Sequence, residues 1–148
     1  QQEVLTQPTV FGWPPYYDTG MYKTWINTTT LSYRSEFVDD LVLGRFRIKG
    51  IAQQIDTISW AQKASIPSDP VVLVNEITAN LFAVALPQLQ KDYIIDNVLI
   101  PGLPRIEWTI EWNSYIANPT DTKKTRAVRN RLNDLFSYLM RMAEYEMI

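Results

Sequence analysis

The chain has 148 residues, a net charge of −2 and a sequence pI near 5.1, a balance that gives no support to general nucleic-acid binding. It contains neither Cys nor His, so within this segment disulfides, thiolate nucleophiles, imidazole bases and ordinary zinc sites are excluded. A hydrophobic fraction of 46% and an aromatic fraction of 12% supply material for a real core, while no apolar run is long enough to span a bilayer.

Residues 1–27 read as an irregular arm, because Pro8, Gly12, Pro14, Pro15 and Gly20 oppose regular helix. Asn27 or Thr28 is a suitable cap for a helix ending at Leu43, with Leu31, Phe37, Val38, Leu41 and Val42 as its apolar stripe and Gly44 as its stop. The polar-apolar alternation of Arg45-Phe46-Arg47-Ile48-Lys49 allows at most a short strand near 45–51. A second helix is expected from Asp56 to Ala64. Ser68-Asp69-Pro70 then marks a third start, followed by Val74, Ile77, Leu81, Val84 and Ala85 on one face until Pro87 breaks the helix. Another helix runs from Gln88 to about Leu99, and Pro101-Gly102-Leu103-Pro104 is a turn.

Ile106, Trp108, Ile110 and Trp112 alternate with Glu107, Thr109 and Glu111, the pattern of a half-buried strand. As a helix, the same residues form the i,i+4 pairs Ile106/Ile110 and Trp108/Trp112. Thr120-Asp121 caps the longest helix, whose stripe is Val128, Leu132, Leu135, Phe136, Leu139 and Ala143. The expected fold is mainly α: an antiparallel helical assembly over 28–148, preceded by the aromatic, Pro-rich arm.

Two motif blocks carry a resemblance. Val10-Phe11-Gly12-Trp13-Pro14-Pro15 is followed by Lys23-Thr24-Trp25-Ile26-Asn27-Thr28-Thr29-Thr30-Leu31, with Arg34 one turn on. Together with the closing Glu144-Tyr145 helix, they resemble the C-terminal signature of the bacterial domain-of-unknown-function 1800 family. The likeness covers nearly the whole chain but only the last part of a family member. It implies that the chain is a fragment, with the family's His-containing motifs in a preceding N-terminal region. It also favours helix at 105–116, since members carry a Trp-rich helical turn before an Asn-Pro loop, here Asn118-Pro119. Finally, it implies a Bacteroidetes-like exported protein of the periplasm, cell surface or medium.

The aromatic arm is the first candidate site. Trp13, Tyr16, Tyr17, Tyr22 and Trp25 offer flat apolar faces with polar edges, which suit sugar rings, although packing onto the helices accounts for them more simply. Arg34 is placed to reach back to arm carbonyls. The acid pairs Glu107/Glu111 and Asp39/Asp40 have the composition that glycoside hydrolysis needs, but such pairs are common on solvated faces. Lys123, Lys124, Arg126, Arg129 and Arg131 load the first half of the last helix with charge that its dipole disfavours. Glu36, Asp39, Asp40, the N-terminal region or an anionic polymer could compensate, although a solvated face with some ion pairs accounts for the run more simply. Asp56-Thr57-Ile58 resembles an O-glycosylation triplet of envelope proteins, although a helix cap explains Asp56 equally well.

No catalytic constellation, metal site or cofactor is visible in this segment. The expected role is a structural or interaction module of an exported or envelope protein. Its partner is the N-terminal region of the same protein or another envelope protein. The alternative is one wall of a polysaccharide-binding or polysaccharide-active site built on the arm.

Overall fold

In the computed structural model of the chain, residues 28–146 are described. By internal contacts the chain divides into two units, 1–32 and 33–148. The aromatic arm, 1–27, lies outside the described residues.

Helix α1, Thr28–Leu43, stops where its C′ residue demands: Gly44 takes φ 69°, and the Arg45 amide donates back to the Asp40 carbonyl at 2.8 Å. The chain then forms the ribbon expected near 45–51, with β1, Arg47–Ile48, antiparallel to β2, Ile51–Ala52. Next comes α2, Thr57–Ala61, capped by the Asp56 carboxylate on the Ser59 amide at 3.2 Å. It ends three residues before the expected Ala64, because the next turn tightens: the Lys63 and Ala64 amides donate to Trp60 and Ala61, three residues back.

Asp69 caps α3, Pro70–Leu81, accepting from the Val71 and Val72 amides, with Pro70 at the first helical position. The helix stops at Leu81 instead of continuing to Pro87, so Val84 does not extend the stripe and is 75% exposed. Two local causes act together. The Asn80 side chain donates to the Glu76 carbonyl, competing with the helical bond, and extended backbone at Phe82 lets its ring bury edge-on against Tyr145.

Pro87 precedes α4, Gln88–Ile94, which continues into a π-helical turn, Ile95–Leu99. The wide turn closes with the Ile100 amide donating to the Ile95 carbonyl at 3.1 Å, and it sends Ile94, Ile95, Leu99 and Ile100 all into the core. After the turn at Gly102, α5 spans Ile106–Ala117, so the ambiguous segment is a helix. Trp108, Trp112 and Tyr115 form its buried face, and Ile106 and Ile110 stay exposed.

Asp121 caps α6, Thr122–Met140, on the Lys123 and Lys124 amides. Five of its six expected stripe residues, from Val128 to Leu139, are buried. Ala143 is not, because α6 ends at Met140 and a short α7, Ala143–Glu146, starts after a two-residue break. Helix α6 packs on α2, α5 and the π-helical turn, which makes it the central element of the described core. The fold is mainly helical, with one two-stranded sheet among the described residues. None of these helices is long and apolar enough to cross a membrane.

One buried polar contact ties α2 to α6. The Thr57 hydroxyl donates to Asn133 Oδ1 at 2.8 Å, and Thr57 is only 2% exposed. This corrects the glycosylation reading of Asp56-Thr57-Ile58, since the hydroxyl is spent inside the core and the carboxylate is spent on the cap. Thr57→Val is therefore expected to cost about 1–3 kcal/mol, because it leaves a buried amide oxygen unpaired without changing shape. A urea titration checks this, and an unchanged midpoint refutes it.

Candidate functional site

Arg34, Phe37, Val38 and Leu41 recur at i, i+3, i+4 and i+7, so one side of α1 presents them together. That side faces three helix ends. The early stop of α3 leaves Asn80 and Leu81 there, the end of α6 contributes Met140, and α7 contributes Tyr145. These eight residues line an open groove of about 550 Å³. Val38 and Met140 are buried, Leu41, Leu81 and Tyr145 half-buried, and Phe37 exposed.

The walls are pinned by contacts outside the groove. Phe37 meets Phe46 edge-on with ring centres 5.0 Å apart, and Tyr145 meets Phe82 edge-on at 6.4 Å. The Gln90 amide donates to Glu144 at 3.2 Å, and Arg141 reaches Asp39 at 3.5 Å. Pre-formed, mostly apolar concavities of this kind receive apolar side chains, with a few polar groups setting orientation. Here the polar lining residues are Arg34 and Asn80, whose side-chain amide already donates to the Glu76 carbonyl. No carboxylate is among the described lining residues.

Of the residues expected to bind ligand, only Arg34 is described, and it stands at this groove. Trp13, Tyr16, Tyr17 and Trp25 lie outside the described residues. The candidate acid pairs do not converge. Asp39 goes to Arg141 and Asp40 to Arg45 at 2.9 Å, while Glu111 holds Arg131 through two bonds of 2.5 and 2.6 Å.

The basic face of α6 finds compensation elsewhere than expected. Arg131 takes its carboxylate from α5, not from Glu36, Asp39 or Asp40 on α1, and also donates to the Leu99 carbonyl of the π-helical turn at 3.3 Å. Arg129 lines a smaller polar recess of about 220 Å³ with Gln54, Ile55, Asp56 and Thr57. Hydrogen bonds from Ser59 hold the Asp56 carboxyl below its ordinary range, and the charge of Arg129 adds to this. Both carboxylate oxygens are occupied by Ser59, so Asp56 serves the helix start, not a ligand.

Similar pairing governs the start of α5. Arg105 binds Asp96 through two contacts of 2.7 Å and Asp92 at 3.0 Å, and these bonds hold the Asp96 carboxyl below its ordinary range. Asp134 shifts the other way, raised by burial. The bonds of Arg105 to Asp92 and Asp96 tie the start of α5 to the segment before it.

Sequence reasoning placed Phe37, Val38 and Leu41 on the apolar stripe of α1 and Leu81 on that of α3, and did not single out Asn80 or Met140. Its one advance signal was the mixture of Arg34 with large apolar residues on one helix face. No protein-family model matches the chain, nor does any curated protein or solved structure.

Proposed function

We propose that this chain is an interaction module of an exported bacterial envelope protein, related to the domain-of-unknown-function 1800 family. It docks an apolar segment in the groove between α1 and the ends of α3, α6 and α7. The groove carries this reading: an open concavity floored by Val38 and Met140, whose described lining is mostly apolar, is suited to packing. The motifs of Val10–Pro15 and Lys23–Leu31 support the family and the exported setting. They also make the N-terminal region of the same protein the first candidate for the docked segment.

The test places a photoreactive p-benzoylphenylalanine at Phe37 in the protein as its own bacterium makes it, with a second probe at Ile116, exposed on α5. The expected result is one dominant adduct from position 37, mapping to the preceding region of the same protein or to one envelope protein, and none from position 116. Equal labelling at both positions, or none at 37, refutes the reading. Polysaccharide binding on the arm is the alternative outcome: retention on a glycan column, lost in Trp13→Ala and Trp25→Ala with helicity unchanged.

A further inference from the structure

The segment from Arg45 to Ala52 carries three cations and no acid, in a chain whose net charge is −2. It folds into the β1–β2 ribbon, where Ile48 pairs with Ile51 across the strands. Cross-strand partners project from the same face, so these two side chains stand together. Both face water, at 51% and 67% exposure.

The turn joining them adds an independent observation. Lys49 and Gly50 both take positive φ, 51° and 82°. Two-residue turns of this shape favour Asn or Asp before the Gly, because other side chains are strained at positive φ. A lysine here works against hairpin stability, and its ammonium has no partner among the described residues. Strain held at an exposed apex points to a role outside the fold. Arg47 closes the turn by donating to the Gly50 carbonyl at 3.1 Å.

The base of the ribbon is fixed. Phe46 packs on Phe37, the Gln53 amide donates to the Phe46 carbonyl at 2.8 Å, and Gln54 and Ile55 bond back to the carbonyls of Val42 and Leu41. A firmly held base therefore presents two isoleucines on one face with the Lys49 ammonium at the apex beside them, while Arg47 lies on the other face and Arg45 is paired with Asp40.

We propose that this hairpin is a peripheral membrane contact. Ile48 and Ile51 enter the interfacial layer of a bilayer, and Lys49 at the apex faces anionic phospholipid headgroups. A lipid surface fits better than a protein partner because two side chains are too little for a stable protein interface. On a charged bilayer, by contrast, apolar insertion and each nearby cation contribute additively. The contact is independent of the groove and of what the groove binds.

The test is flotation of the chain with vesicles of equimolar phosphatidylglycerol and phosphatidylcholine, and with vesicles of phosphatidylcholine alone. The chain is expected to float with the anionic vesicles only. Ile48→Ser with Ile51→Ser weakens partition about tenfold or more, since the apolar insertion is lost. Lys49→Asn weakens it about fivefold through one cation, while its thermal midpoint holds or rises because the turn is relieved. Both variants should retain the helical circular dichroism signal, since the substituted side chains are exposed.

Absence of binding, equal binding to both vesicle types, or variants that float like the parent each overturn the proposal. So does lipid-free self-association that disappears in the isoleucine double variant, because the hairpin is then a contact between copies of the chain.

Discussion

Replacing Trp108 by Ala should remove about 4 kcal/mol of stability, the largest effect expected from one side chain in this fold. The residue is fully buried, lies 5.5 Å from the Trp112 ring centre to centre, and donates its indole N–H to the Pro67 carbonyl at 2.9 Å. Its neighbour Thr109 donates to the Ser68 carbonyl at 2.7 Å. Helix α5 therefore clamps the two residues that lead into the Asp69 cap, so a cavity at Trp108 also loosens the start of α3. Trp108→Phe separates the contributions. It keeps most of the apolar volume but orphans the Pro67 carbonyl, and should cost about 1–3 kcal/mol. Urea unfolding measures both variants. A loss below about 1 kcal/mol for the alanine variant is incompatible with a site that packs as tightly as a protein core.

The second large effect is expected at Arg131. Its guanidinium forks onto Glu111 and also reaches Leu99, with side chains 20% and 26% exposed for the arginine and the glutamate. Exposed pairs are worth a few tenths of a kcal/mol, whereas breaking a buried pair costs about 3–5, because one charge is left uncompensated. Partial exposure puts Arg131→Met between these limits, at about 2–3 kcal/mol. The orphaned Leu99 carbonyl adds to the loss, since the π-helical turn already departs from ordinary helix bonding. Adding Glu111→Leu should restore part of the stability, so the double variant is less damaged than the sum of the two single changes. Strict additivity in that cycle means the pair is not coupled.

Both predictions depend on long-range partners, and those were the least legible parts of the sequence. A carboxylate on α5 was not foreseen as the answer to the charge on α6, because Glu111 and Arg131 are 20 positions apart. Reading the basic run correctly marked a need for compensation, but charge alone carries no direction. The acid pairs illustrate the same limit. Adjacent Asp39 and Asp40 point to different arginines, and only the packing of the helices decides which.

What the sequence by itself determined is the punctuation of the fold. Asp56, Asp69 and Asp121 cap helices through bonds to amides two or three residues on, Pro70 opens α3, and Gly44 closes α1. These interactions close within one helical turn, so neighbouring residues suffice to specify them. The stripe of α6 is equally local, since its period is a property of the helix alone. Tertiary structure decided the rest. Segment 105–116 satisfies a strand period and a helix period at once, and it is a helix whose Trp108 meets Pro67, 41 positions away. Helix α3 ends at Leu81, where Phe82 gains a buried place beside Tyr145. The groove, assembled from one helix face and three helix ends, exists only once those distant segments have packed.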